Sequence, residues 1–148
     1  MAEPISHSLV KALRSVPDFE ALDDRTLLRI VGASVNLSWP ADAVVFERGS
    51  ESEALYIVLS GEVSITEPSA DGEVEISRVG PGSSFGELSL LLHTTHTRNA
   101  RTTQPTELMV IPSGSFEELL ASNPDLAGQF RHRLEERLPV RGEVPHAT

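Results

Sequence analysis

The chain is expected to be mainly β with flanking helices: an antiparallel β-roll (double-stranded β-helix, jelly-roll-like) with N-terminal helices and a C-terminal helix. Three observations lead there. Apolar residues recur at helical spacing as far as Val31 and again from Phe116, whereas between Ser34 and Ile111 they alternate in short runs. Glycines and prolines punctuate that middle stretch, at Gly49, Gly61, Gly72 and Gly80-Pro81-Gly82 among others. Short strands bracketed by helices then favour a rolled antiparallel sheet capped at its ends. At 148 residues and 39% hydrophobic content, the chain suffices for one domain with a single buried core.

Taken in order, Ile5, Leu9, Val10, Leu13 and Val16 share one helical face, and Pro17 ends that helix. A second helix follows, with Asp23 or Asp24 as N-cap, Leu27, Leu28, Ile30 and Val31 as its apolar face and Gly32 at its stop. Val35 and Leu37 begin a strand that closes at Trp39-Pro40. Val44 to Phe46 make the next, and residues 47–51 a turn. Ala54 to Ile65 reads as a bent strand or strand pair with Gly61 at the bend. Thr66 to Glu73 reads as a polar hairpin loop carrying the turn dipeptide Asp71-Gly72, after which Val74, Ile76 and Val79 alternate. Two strands, Asn99 to Gln104 and Glu107 to Ile111, turn at Pro105. Ser113 or Ser115 would cap a helix through Phe116, Leu119, Leu120, Leu126, Phe130 and Leu134, interrupted at Asn123-Pro124. The sequence leaves open whether Leu119, Leu126 and Phe130 serve the core or a dimer interface.

Composition narrows the function classes. The formal charge is −10, from 12 basic and 22 acidic residues, which argues against a nucleic-acid partner, because phosphate neutralisation needs clustered lysine and arginine. Without cysteine there is no disulfide framework, thiolate metal site or cysteine nucleophile. His93 and His96, three apart and lacking nearby carboxylates, make a poor metal site, so neither metal nor cofactor is expected. No apolar run approaches the ~20 residues of a membrane helix, and the N-terminus lacks the charged-then-apolar pattern of a secretion signal. A cytoplasmic, non-membrane protein is the expectation. No paired acid and base or activated nucleophile stands out, so it is not expected to be an enzyme.

The chemistry-bearing stretch is Phe85 to Arg101, F-G-E-L-S-L-L-L-H-T-T-H-T-R-N-A-R. A glycine and an acid opening a short helix set backbone N–H groups beside a carboxylate, which suits a phosphate joined to a sugar hydroxyl. On residues alone, Glu87 is either that hydroxyl acceptor or a carboxylate satisfied by a helix dipole. The stretch resembles the phosphate-binding cassette of the cyclic nucleotide-binding domain family, of the cyclic-AMP receptor protein and protein kinase A regulatory subunit type. The family pattern runs roughly F-G-E-[LI]-[AS]-L-L-x-x-x-P-R-[SAT]-A-[TS]-[VA]-[RK]-A. Leu55-Tyr-Ile-Val-Leu-Ser-Gly-Glu-Val is similar to a family strand, and the spacing of Gly49, Gly61, Gly82 and Gly86-Glu87 also matches. The resemblance implies a cyclic nucleotide-binding domain over 19–138; apolar spacing gives the N-terminal helix over 1–18, and the polar stretch from Pro139 a mobile tail over 139–148.

It further implies a non-catalytic sensor of cAMP or cGMP, read out by the C-terminal helix to an effector protein or domain, with a homodimer admitted. The glutamate would take the ribose 2′-hydroxyl, and N–H groups and an arginine the cyclic phosphate. The implied ligand-binding set is Gly86, Glu87, Leu88, Ser89, His96, Thr97, Arg98 and Asn99. Counted without gaps from Phe85 or back from Ile111, the family's arginine falls on His96, an imidazole of ordinary pKa about 6.5 in place of a permanent charge. Arg98 lies two residues on, facing the same side of a strand. It is a second candidate for the phosphate, or else a solvated arginine or a partner for Glu87. In the family a threonine at the place of Thr97 can favour guanine without deciding the base. The competing reading is a degenerate cassette that binds no nucleotide and serves interaction or dimerisation.

Overall fold

The computed structural model describes residues 5–16, 19–20, 22–86 and 94–137. The expected positions Glu87, Leu88 and Ser89 of the cassette, and the tail over 139–148, lie outside the described residues. Helices α1 (Ile5–Arg14) and α2 (Asp24–Ala33) precede eight strands: β1 (Val35–Trp39), β2 (Val44–Phe46), β3 (Ala54–Ser60), β4 (Val63–Ser69), β5 (Gly72–Val79), β6 (Ser84–Phe85), β7 (Asn99–Thr102) and β8 (Thr106–Pro112). Helices α3 (Ser113–Ser122) and α4 (Pro124–Arg137) follow. Asp23 is the N-cap of α2, accepting from the Thr26 N–H at 2.8 Å. The Thr26 hydrogen bonds hold its carboxyl below the usual range. Arg14 pairs with Asp24 and so ties α1 to the start of α2. Two expectations for α2 are corrected: the helix runs through Gly32 to Ala33, and Leu28 is 48% exposed, outside the apolar face.

The strands form two four-stranded antiparallel sheets, ordered β1-β8-β3-β6 and β2-β7-β4-β5. β3 and β4 belong to different sheets, so the bend expected at Gly61 is the corner where the chain passes from one sheet to the other. The loop expected over Thr66 to Glu73 is instead mostly ladder. β4 and β5 stay paired out to Ser69 opposite Gly72, leaving Ala70-Asp71 as a two-residue turn, with Gly72 at φ +116°. β6, too short to be read from periodicity, pairs Phe85 with Tyr56.

β3 explains the layering. Leu55 and Ile57 point outward with Met109 and Ile111 of β8, against Leu13, Val16, Phe19, Leu27, Ile30, Phe116, Leu119, Leu126 and Phe130 of the helical segments. Tyr56 and Val58 point inward with Val63, Ile65, Val79, Phe85, Ala100 and Leu108. Both faces of β3 are buried, hence its unbroken apolar sequence. Leu119, Leu126 and Phe130 belong to the core, and the Phe130 ring meets Phe116 edge-on at 5.2 Å and Phe19 at 6.0 Å. The serine cap expected for α3 is absent: Ser113 is already helical, behind Pro112, and its N–H donates to Glu53 O of the segment before β3 at 2.8 Å. A tertiary hydrogen bond has taken the place of a local cap.

Candidate functional site

Strand alternation separates the candidate side chains onto two faces of the β2-β7-β4-β5 sheet. On β4, Val63 and Ile65 are buried on the inner face, and Glu67 is the next residue of that set. Arg98, directly before β7, sets its Nε 3.5 Å from Glu67 Oε2, with the two side chains 42% and 25% exposed. Across the β4–β5 ladder Glu67 pairs with Val74. Val74 is 47% exposed, an apolar side chain beside Glu67, and Ile76, 37% exposed, falls at the register shift between Ser77 and Glu75. Asn99 lies on the opposite face, where its Nδ2 donates to Glu73 Oε1 at 2.6 Å and its Oδ1 accepts from the Arg48 N–H at 2.8 Å. Asn99 and Arg98 are therefore not brought together. Asn99 instead lines an outer-face cleft of about 360 Å³ with Asp42, Glu73, Glu75, Arg101 and Thr103. Its acidic walls disfavour an anion.

His96 is built into the protein rather than presented to solvent. The residue is 3% exposed, and its ring stacks on Phe46 with centroids 3.6 Å apart and planes within 3°. The His96 N–H donates to Ser50 O at 2.9 Å and its carbonyl accepts from the Gly49 N–H at 2.7 Å, which fastens this end of the cassette to the loop after β2. Burial pulls the imidazole pKa below its ordinary value and favours the neutral ring. Thr97 is half-buried between the two candidate residues.

Gly86 marks the other end of the cassette. Its φ is +89°, and a Cβ there would come within 3.1 Å of Tyr56 Cδ2 and 3.3 Å of Ala54 O. The backbone thus passes close over β3, which a side chain would prevent. Phe46 bridges the two ends, touching Phe85 at 6.0 Å and Tyr56 at 5.8 Å as well as His96. The Tyr56 phenol is pushed up by burial first and then by the charge of Glu53. Sequence reasoning passed over Phe46, Glu67 and its neighbour Val74. The signal for Glu67 was its place in the alternation Val63, Ile65, Glu67, masked by the polar run that followed. Among the described residues, no group of three or more His, Cys, Asp or Glu side chains could hold a metal ion, and no helix is long and apolar enough to cross a membrane.

Known proteins share this architecture. The family described as "Cyclic nucleotide-binding domain" matches residues 36–123. "Lysophospholipase NTE1" of Chaetomium globosum is 35% identical over 115 residues, 77% of this chain and 8% of that protein. A cyclic nucleotide-gated potassium channel of Mesorhizobium japonicum is 31% identical over 123 residues, 83% of this chain and 33% of the channel. The chain spans a third or less of these relatives' own length. The sensor domain of the transcriptional regulator DNR from Pseudomonas aeruginosa superposes with a TM-score of 0.81 at 24% identity, over 90% of each chain, which shows a shared fold. With the match to residues 36–123 spanning both sheets but for Val35, together with the whole cassette, the chain belongs to the cyclic nucleotide-binding domain family.

Proposed function

We propose that the chain is a non-catalytic regulatory module that binds cAMP or cGMP at the inner face of the β2-β7-β4-β5 sheet and signals through α4 to an effector protein or domain. One observation carries this reading: Arg98, a half-exposed guanidinium at the cassette's C-terminal end, stands on the inner face against Glu67, whose partner on the neighbouring strand is the exposed apolar Val74. A cyclic phosphate suits a guanidinium's paired donors, and a purine face suits the aliphatic surface. Arg98 rather than His96 takes the phosphate, since burial favours the neutral imidazole and its ring is occupied by the stack on Phe46. Glu87 is assigned the ribose hydroxyl, and Gly86, Leu88 and Ser89 the backbone contacts, by the family resemblance. The −10 charge fits a partner other than nucleic acid.

The experiment is calorimetric titration of cAMP and cGMP into the intact chain and into Arg98→Ala. Micromolar binding is expected, weakened roughly tenfold to a hundredfold in the variant, the worth of one charge-assisted hydrogen bond. A second reading, a cassette that binds no nucleotide and serves interaction or dimerisation, is favoured by the carboxylate already beside Arg98. No heat and no thermal shift with either nucleotide at millimolar concentration would select it.

A further inference from the structure

Resting on the assignment of the phosphate to Arg98, we infer that Glu67 is a built-in competitor for that phosphate and sets the preference of the site between anionic and uncharged ligands. Glu67 continues the inward-facing set of Val63 and Ile65, a position at which the strand pattern calls for an apolar residue. Its carboxylate lies 3.5 Å from Arg98 Nε and beside the exposed Val74. An anion reaching Arg98 therefore meets a fixed negative charge a few ångströms away. It must either share the guanidinium or displace the carboxylate.

Both side chains are partly exposed, so the pair is weak enough to open and contributes little to the fold. With the pair closed, the inner face is locally neutral and apolar at Val74, which favours a flat uncharged ligand as much as a charged one. With Glu67 neutralised, the guanidinium is released and the balance moves toward anions. Glu67 is thus a specificity-determining residue, acting through Arg98.

Two measurements on the intact chain test this. The first needs no nucleotide: the Arg98 Nε–Hε resonance is followed by NMR at low salt while inorganic phosphate is added. In Glu67→Gln the phosphate-dependent shift should appear at roughly tenfold lower phosphate than in the unmodified chain, the scale of one like charge at contact distance in a partly hydrated site. Identical titrations overturn the inference. The second compares cAMP with adenosine by calorimetry. Glu67→Gln should tighten cAMP about tenfold and leave adenosine within about twofold, and the gain should vanish in the Glu67→Gln/Arg98→Ala double variant. Equal tightening of both ligands, or a gain that survives loss of Arg98, also overturns it. If phosphate behaves as expected while neither protein binds a cyclic nucleotide, the competitor role stands and the proposed cyclic nucleotide function fails.

Discussion

His96 and Arg98 stand two residues apart and meet opposite surroundings, one enclosed by aromatic carbon and the other half in solvent beside a carboxylate. The consequence for His96 is a stability that depends on pH. Burial lowers its folded pKa, so the unfolded chain takes up the proton first, near its ordinary value of about 6.5. The stabilisation is whole above that value and is lost as pH falls from there to the folded pKa, with a slope of at most ~1.4 kcal/mol per pH unit. His96→Phe keeps a flat ring against Phe46 but has nothing to titrate. In denaturant unfolding it should lose less stability than the unmodified chain between about pH 7 and about pH 5. Equal losses in the two proteins would remove His96 as a source of acid sensitivity. The residue scale is also where sequence reading reached least far. Counting placed His96 at the family's arginine position, but a linear count cannot reveal that Phe46, fifty residues earlier, offers its ring a stacking partner. Glu67 was hidden for a related reason: Thr66 to Glu73 read as a loop, so the alternation that aims Glu67 inward was cut short at Ile65.

Elements turn on a few connections whose geometry permits no side chain. Gly61, at φ +90°, carries the chain from β3 in one sheet to β4 in the other. A Cβ there would lie 2.4 Å from Thr106 Oγ1 and 2.5 Å from Pro105 O, and the second of these is backbone and cannot step aside. Thr106 is itself fixed, since its Oγ1 accepts from the Glu62 N–H at 3.1 Å and donates to Gln104 O at 2.8 Å. Gly61→Ala should therefore destabilise by about 3 kcal/mol, combining left-handed strain with overpacking. Gly114→Ala is the control: nothing lies within 4 Å of its Cβ, and its helical position should favour alanine by roughly 0.5–1 kcal/mol. Unfolding midpoints that move alike in the two variants would refute the corner argument. The bend at Gly61 was legible because a glycine that interrupts an apolar strand run marks a bulge or a tight bend. That it separates two sheets was not, because strand pairing is decided by partners far along the chain. The missing cap on α3 has the same origin: Ser113 looked like a cap, and a hydrogen bond from its N–H to Glu53 made one unnecessary.

At the scale of the whole molecule, the proposed ligand face and the proposed output helix lie on different layers, joined by β3. Tyr56 faces the roll interior and lies under Gly86, while its neighbours Leu55 and Ile57 face the helical layer that holds Leu126 and Phe130 of α4. A strand buried on both faces gives a shift at the cassette a packed route to α4, since close-packed interiors transmit displacement rather than absorb it. Deleting α4 is a poor test of that coupling. Phe130 is fully buried, and removing such a ring costs about 3–5 kcal/mol by itself, which mixes lost stability with lost signal. Hydrogen exchange on the intact chain separates the two. Ligand at about a hundred times its Kd raises global stability by ~2.7 kcal/mol, and amides that exchange only through global unfolding all slow by that amount. β3, buried on both faces, supplies that reference. If α4 closes as a lid when cAMP or cGMP binds, its amides should gain more protection than those of β3, because they escape local opening as well as global unfolding. Equal gains in α4 and β3 would leave a binding module whose output lies elsewhere than in this helix.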